Sequence, residues 1–260
     1  MLIPEGHTFA ISGKDLPSVP ESAEPVISDV AGIHVAGKRL DIDIVFPMLH
    51  GPFGEDGTIQ GLLEMANLAY VGSGVLASAV AMDKSFAKPI FASHGIATAP
   101  GIVIKENEWK RDKSTLSTKI AALGYPVFVK PARGGSSRGT SKVKSDTELE
   151  QAMQAAFSFD SKVMVEVAIV GSEIECAVLE IDGKVRASIP GKVSIDPKYE
   201  FYDFEAKYLD GATDIIVPAP IEKEILEKVQ HAAIAAFQAL GCSGLARVDF
   251  FLTQIGRAHV

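Results

Sequence analysis

Apolar and polar positions along the chain fall into short runs that predict alternating strands and helices. The first strong run, Ile42 to Leu49, is rich in β-branched residues and predicts a buried strand. A polar, glycine-rich loop over residues 50–57 follows, and apolar residues at 59, 62, 63 and 66 then keep a helical period. Strand, loop and helix make half of a βαβ unit, in which ligands bind at the carboxyl ends of the strands. His50 lies at that end and is a candidate site residue, although a lone histidine is more often structural.

The next segments predict a second helix and then a strand, a turn and another strand. The helix runs from about Val75 to His94, with Lys84 inside it and a bend expected at Pro89. An apolar run at 125–129 leads into a glycine-rich turn, and a short second strand follows that turn. On sequence alone a helical lysine such as Lys84 is usually a solvated surface group.

The turn from Lys130 to Gly139 is typical of a phosphate-binding loop. Its glycines can press bare backbone N–H groups against phosphate oxygens, and Lys130 adds a positive charge at the end of the strand. The spacing excludes a Walker loop, and the pattern excludes a dinucleotide-binding fingerprint. The alternative interpretation is an ordinary hairpin with a mobile tip.

Charged residues on the later predicted strands are further candidates for ligand binding. Glu166 and Glu173 flank a short bend and could accept hydrogen bonds from ribose hydroxyls or a base amine, unless they are edge-strand charges. On the last predicted strand, alternation places Arg247 and Asp249 on one face. Arginine there could meet a phosphate and aspartate a magnesium ion, and the alternative is a simple ion pair. Residues 196–211 mix aromatic and charged side chains, as in a loop that covers a site.

Composition narrows the partners of the protein. The chain has 260 residues, of which 47% are hydrophobic and 22% charged, which suits a globular protein with a real core. A net charge of −8 argues against a nucleic acid as the main partner, whereas local lysines could still hold a small anion. Cys176 and Cys242 lie in apolar settings and predict buried thiols in a reducing compartment, with a single disulfide as the alternative. No basic leader and no run of about 20 apolar residues is visible, so we expect a cytoplasmic protein with no membrane contact.

Five ordered motifs resemble those of the D-alanine–D-alanine ligases, a family of the ATP-grasp superfamily, over about residues 3–253. The motifs are His50-Gly51 with Gly54 to Gly61, Met82-Asp83-Lys84, Val129-Lys130-Pro131 with Gly135-Ser136-Ser137, Phe201 to Tyr208, and Arg247-Val248-Asp249. The resemblance implies an α/β fold with an α+β lid, namely an ATP-grasp fold preceded by an incomplete parallel-sheet N-terminal domain. It divides the chain into a partial N-terminal substrate domain (1–73), a central lid domain (74–171) and a partial C-terminal domain (172–253).

The resemblance also implies an ATP site. Its residues would hold the phosphates, cover them with the glycine-rich turn, and bind the adenine and ribose with two glutamates and nearby backbone. The residues concerned are Lys84, Lys130, Gly135, Ser136, Ser137, Glu166, Ala168, Ile169, Glu173 and Lys207.

For the chemistry, the resemblance implies that Ser136 and Tyr208 order the first D-alanine and that His50 lies beside its carboxylate. Arg247 would stabilise the oxyanion, and Asp249 would bind Mg²⁺ or Mn²⁺. In the family, a tyrosine at the place of Tyr208 goes with an amine nucleophile. Two D-alanines would then be joined through an acylphosphate, for peptidoglycan synthesis, by a cytoplasmic homodimer.

The two ends of the chain depart from the family pattern. The family's opening Gly-Gly-x-Ser-x-Glu turn and its later Glu-x-Asn pair have no counterpart here, and residues 254–260 fit no family strand. We therefore expect a chain truncated at both ends, with a non-native tail and without turnover. The remaining alternatives are another ATP-grasp carboxylate–amine ligase and a nucleotide-binding remnant without catalysis.

Overall fold

The structure, a computed structural model, describes residues 25–195, 213–253 and 258–260. Its strands form three separate antiparallel sheets of three, four and six strands. No helix among these residues is long and apolar enough to cross a membrane. Cys176 and Cys242 are not bonded to each other, and burial raises the pKa of both thiols.

The first part of the described chain holds a small sheet and two helices. The sheet consists of β1 (Val26–Asp29), β2 (Gly32–Val35) and β3 (Lys38–Arg39). The helices are α1 (Thr58–Met65) and α2 (Val75–Met82), and α1 begins directly after Gly57, whose positive φ of 91° suits glycine.

The predicted buried strand at 42–49 is wrong, and the parallel N-terminal sheet to which it would belong is not evident in the described residues. Val45 makes only an isolated parallel bridge with Tyr70. Phe46 and Met48 are 59% and 70% exposed. An apolar run is buried as a strand only where neighbouring strands and helices cover both faces, and here the described chain supplies one bridge.

The four-stranded sheet has the order β4-β7-β5-β6 and is covered on one face by helices. Its elements are β4 (Gly101–Lys105), α4 (Glu106–Arg111), α5 (Lys113–Ala121), β5 (Val127–Pro131), β6 (Ser141–Val143), α6 (Asp146–Phe157) and β7 (Lys162–Val167). Val127, Val129, Val163 and Val165 point into its core and are fully buried. Because side chains alternate along a strand, Lys130 and Glu166 point to the opposite face.

The six-stranded sheet has the order β11-β10-β8-β12-β13, with β9 also paired to β8. Its elements are β8 (Ser172–Ile181), β9 (Lys184–Ala187), β10 (Gly191–Ile195), β11 (Thr213–Ile216), α7 (Lys223–Ala239), β12 (Leu245–Leu252) and β13 (Ala258–His259). Val229, Ala233 and Phe237 of α7 pack on Ile174, Val178 and Phe250. The other face of β8 and β12 carries charged side chains. Although β13 lies in the predicted tail, it pairs with β12, and the Val260 N–H donates to the Ala97 carbonyl.

The helix predicted at 75–94 is two helices, α2 and α3 (Lys84–Ser93). The break falls at Asp83, which has an extended backbone (ψ 99°), and not at Pro89. The Asp83 carboxylate accepts a hydrogen bond of 3.0 Å from the Ser85 N–H and so caps α3. On its other side, Ala87 and Phe91 belong to the core of the six-stranded sheet. This helix therefore connects the two larger sheets.

Candidate functional site

Lys84 stands at the first residue of α3 and holds the glycine-rich turn. Its Nζ donates to the Gly134 carbonyl at 2.7 Å and reaches the Ala132 carbonyl at 3.4 Å. Its own N–H also donates to Ala132, at 3.1 Å. Burial, and then the nearby charge of Lys130, lower the pKa of Lys84 to about 8. The helix break at Asp83 is thus what turns this lysine from a surface group into a cleft group.

Glu166 lies between two lysines on the face of the four-stranded sheet that points away from the helices. Its Oε1 contacts Lys130 Nζ, and its Oε2 contacts Lys88 Nζ at 2.5 Å. The residue is 8% exposed. Burial by itself would raise the pKa of this carboxyl group, but Lys130 and Lys88 hold the pKa below its ordinary value. The site therefore contains a buried carboxylate that is fully charged at neutral pH.

The glycine-rich turn between β5 and β6 has the backbone that its sequence predicts. Ser136 and Ser137 adopt positive φ values of 52° and 56°, which non-glycine residues rarely adopt. A Cβ added at Gly135 would lie 3.2 Å from the Gly51 Cα, and one added at Gly139 would lie 2.5 Å from the Phe159 ring. Residues without a side chain are therefore needed at both positions, 135 and 139. The predicted order of strand, turn and strand is confirmed.

His50 lies in the loop that approaches this turn through Gly51. Its side chain is 67% exposed, and its Nδ1 is 3.9 Å from Glu55 Oε1. The second Glu55 oxygen accepts a 2.5 Å hydrogen bond from the Gly51 N–H and so orders the loop. The structure brings the His50 loop and the turn together, although the strand predicted to precede His50 does not form.

Arg247 and Asp249 share the polar face of β12, as the alternation predicts. The Arg247 guanidinium donates to both Asp249 oxygens, at 2.7 and 2.8 Å. Its Nη2 is also 3.4 Å from Glu175 Oε1 on β8, which pairs directly with Asp249 across the ladder. The Glu173 partner on β12 is Phe251. The Arg247–Asp249 ion pair, which was the alternative to a ligand site, is therefore present. The same face also carries Glu173 and Glu175.

The remaining candidates lie in the connection from β7 to β8 or outside the described residues. The Ala168 N–H donates to the Pro126 carbonyl at 3.1 Å, and Ile169 follows it half-buried. A Cβ at Gly171 would lie 2.4 Å from the Leu252 carbonyl oxygen, so this connection packs closely on β12. Lys207 and Tyr208 lie outside the described residues.

Two site residues were missed by the sequence reasoning, Lys88 and Glu175. Lys88 follows Lys84 by four residues, the spacing that places two side chains on one face of a helix. Glu175 follows Glu173 by two residues, the spacing that places two side chains on one face of a strand. Both signals were in the sequence, but only the packing of α3 and the register of β8 show what the two residues contact.

A divalent cation fits the donors on this face. No group of three or more histidine, cysteine, aspartate or glutamate side chains in the described residues could hold a metal ion. Asp249 and Glu175 nevertheless supply carboxylate oxygens from directly paired positions. Mg²⁺ is commonly bound through one or two carboxylates together with substrate phosphates, so these two carboxylates are a suitable protein donor set.

Comparison with known proteins agrees with the resemblance found in the sequence. The family description "D-ala D-ala ligase C-terminus" matches residues 90–260, and "D-ala D-ala ligase N-terminus" matches residues 11–73. A D-alanine–D-alanine ligase from Arthrobacter sp. (strain FB24) is 47% identical over 262 residues. That match covers 95% of this chain and 69% of the relative.

Two solved structures have the same fold over most of the chain. The VanG D-Ala:D-Ser ligase from Enterococcus faecalis is 37% identical with a TM-score of 0.78, covering 91% of this chain and 68% of that one. The D-alanyl-alanine synthetase A from Vibrio cholerae is 31% identical with a TM-score of 0.79, covering 92% and 72% respectively. The mixed α/β fold is therefore that of these ligases, and the sheets described here are antiparallel.

Proposed function

The chain belongs to the D-alanine–D-alanine ligase family of ATP-dependent ligases, and on that premise we propose that its own residues bind ATP and join two D-alanines. The observation that carries the proposal is the cluster of Lys84 and Lys130 around the glycine-rich turn. Two ammonium groups and a turn of bare backbone provide the positive charge and the N–H donors that a triphosphate needs.

The nucleotide would lie between the two larger sheets. Lys84 and Lys130 bind its phosphates, and Gly135, Ser136 and Ser137 close over them. Glu166 accepts a hydrogen bond from the adenine amine, and Glu173 accepts one from the ribose. The Ala168 N–H is already bonded to Pro126, so the carbonyl of Ala168 and the backbone of Ile169 are the groups left for the base. Lys207 adds a further positive charge at the phosphates.

The first chemical step transfers the γ-phosphoryl group to the carboxylate of one D-alanine, giving an acylphosphate and ADP. Ser136 and Tyr208 order this D-alanine, and His50 lies beside its carboxylate. The lysines stabilise the charge that moves between the phosphate oxygens. Closing the turn over the site keeps water from the acylphosphate.

In the second step the amine of another D-alanine attacks the acyl carbon, phosphate leaves, and the amine loses a proton. Arg247 stabilises the oxyanion of the tetrahedral intermediate. Asp249 and Glu175 would hold Mg²⁺ or Mn²⁺, which supplies positive charge at the transferred phosphoryl group. The Arg247 guanidinium now donates to both Asp249 oxygens, and it would be free to face the substrate if Asp249 held the cation.

The experiment measures ATP binding and phosphate release by the 260-residue chain, with D-alanine and with D-serine, D-lactate and L-alanine in separate reactions. We expect ATP to bind in the presence of Mg²⁺. Phosphate release with formation of the dipeptide should depend on D-alanine, and its occurrence would contradict the absence of turnover expected from the sequence. Lys84→Met and Lys130→Met should each weaken ATP binding about tenfold or more, because each removes a charge-assisted contact. Lys119→Met, on the exposed face of α5, is the control.

Each alternative predicts a different result in the same assay. ATP binding without any product favours a nucleotide-binding remnant, and faster release with another amino acid favours a different carboxylate–amine ligase. A chain that binds no ATP contradicts the proposal. We also propose that the protein acts in the cytoplasm as a homodimer, which sedimentation equilibrium at several protein concentrations tests.

A further inference from the structure

Lys88 contacts the buried carboxylate of Glu166 from the side opposite to Lys130. The Lys88 Nζ lies 2.5 Å from Glu166 Oε2, and Lys130 binds the other oxygen. We infer that Lys88 is a positioning residue, which keeps Glu166 charged and correctly oriented when Lys130 turns to a nucleotide phosphate. The inference rests on the proposed function, because it concerns how Glu166 recognises an adenine amine.

The backbone on both sides of this contact is firmly placed. Glu166 lies on β7, which is paired on both edges, to β4 and to β5. Lys88 lies on α3 next to Ala87, which is buried in the core of the six-stranded sheet. The Lys88 side chain is 15% exposed and that of Glu166 is 11% exposed. A contact between two such groups is set by the fold and is not an exposed pair that solvent can replace at little cost.

The electrostatics of the cluster explain why two lysines are needed. Lys84, Lys88 and Lys130 all act on Glu166, and no other charged group contributes to its pKa as strongly as Lys130 and Lys88. A buried carboxylate that loses its only cation either becomes protonated or destabilises the fold. If Lys130 bound both Glu166 and the phosphates, one ammonium group would have to stabilise two anionic groups. Because Lys88 stays in contact with Glu166, Lys130 can bind the phosphates.

Protonation of Glu166 would change what it can recognise. A carboxylate only accepts hydrogen bonds, whereas a carboxylic acid also donates one. The adenine amine is a donor, and inosine triphosphate carries a carbonyl oxygen in its place. A positioned, charged Glu166 therefore favours ATP over inosine triphosphate. A merely structural Lys88 would influence the affinity for both nucleotides equally.

The test compares the dissociation constants of ATP and inosine triphosphate, each with Mg²⁺, for the 260-residue chain and its Lys88→Met variant. We expect the preference for ATP to fall about tenfold in the variant, the effect of losing one charge-assisted hydrogen bond. We also expect its ATP affinity to decrease as the pH is lowered from neutral, since Glu166 with one cation fewer binds a proton more readily. The ATP affinity of the unaltered chain should not change over that pH range. Lys88→Arg should restore part of the preference for ATP.

Lys119→Met serves as the matched control, because it removes the same charge from an exposed helix position. If Lys88→Met does not fold, the double variant Lys88→Met with Glu166→Gln removes both charges of the pair. Its nucleotide preference should then equal that of Glu166→Gln alone, and a further loss would overturn the inference. An unchanged preference and an unchanged pH profile in Lys88→Met would also overturn it. If the unaltered chain binds no ATP, the proposed function fails first and the inference fails with it.

Discussion

Two groups of charged residues on this protein are built in opposite ways. Around β7, Glu166 and its lysines are buried between a sheet and a helix, and the Glu166 side chain is 11% exposed. On β12, Arg247 and Asp249 are paired with each other, and both side chains are 56% exposed. Buried ion pairs perturb pKa values and are costly to break, whereas exposed pairs contribute little to stability and exchange partners readily. The first group is suited to holding a ligand in place, and the second to changing partners during a reaction.

The largest expected effect is on stability when the buried group loses its carboxylate. Glu166→Gln leaves Lys88 and Lys130 without their common partner, and we expect the free energy of unfolding to fall by about 3–5 kcal/mol. Urea unfolding followed by circular dichroism measures it. Glu150→Gln is the matched control, because Glu150 pairs with Lys113 on the exposed surface, and its effect should stay below about 1 kcal/mol. Equal losses in the two variants would contradict the comparison.

The next effect is a pH dependence caused by Lys84. The pKa of Lys84 is lowered from 10.5 to about 8, so between these values the folded chain binds fewer protons than the unfolded chain. The contribution of Lys84 to the free energy of unfolding therefore rises with pH in this window. ATP binding should show the opposite trend and weaken about tenfold as Lys84 loses its proton above pH 8.

The measurement is a pair of titrations, one of stability and one of ATP affinity, across this pH window. Lys88 also has a lowered pKa, and Lys130, Glu166, Asp83 and Asp160 act on Lys84, so the informative quantity is the difference between the unaltered chain and Lys84→Met. The two trends should disappear from Lys84→Met together. Persistence of either one would assign it to a different group.

The smallest effect is expected on the exposed face. Asp249→Asn removes the charge that pairs with Arg247, but Glu175 still lies 3.4 Å from the guanidinium. We expect the free energy of unfolding to change by less than about 1 kcal/mol. The Mg²⁺-dependent part of ATP binding should fall in the same variant. A loss of stability as large as that of Glu166→Gln would show that the two faces do not differ in the way described.

Local patterns in the sequence predicted local features well. Two predictions that depend only on neighbouring residues are confirmed. They are the strand, turn and strand at residues 125–143 and the strand face shared by Arg247 and Asp249. The family could be identified from the order of its motifs along the chain, because that order does not depend on how the chain packs. The bend expected at Pro89 falls instead at Asp83, because the Asp83 carboxylate caps α3 at the Ser85 N–H and the backbone of Asp83 is extended.

Features that depend on distant partners could not be predicted from the sequence. The run at 42–49 has the composition of a buried strand, but burial requires covering elements that the described chain does not place there. The contact of Lys88 with Glu166 depends on the packing of α3 beside β7. The position of Glu175 opposite Asp249 depends on the pairing of β8 with β12. The roles of Lys207 and Tyr208 stay predictions from the resemblance.

The two-sided packing of α3 has a mechanical consequence. Toward the six-stranded sheet the helix makes apolar contacts through Ala87 and Phe91, whereas toward the four-stranded sheet its Asp83, Lys84 and Lys88 make polar ones. Added salt does not weaken apolar contacts, and it screens ion pairs as buried as Lys88–Glu166 and Lys162–Asp83 far less than exposed ones. The helix should therefore stay attached to both sheets over a wide range of salt concentration, and so acts as a fixed spacer between them.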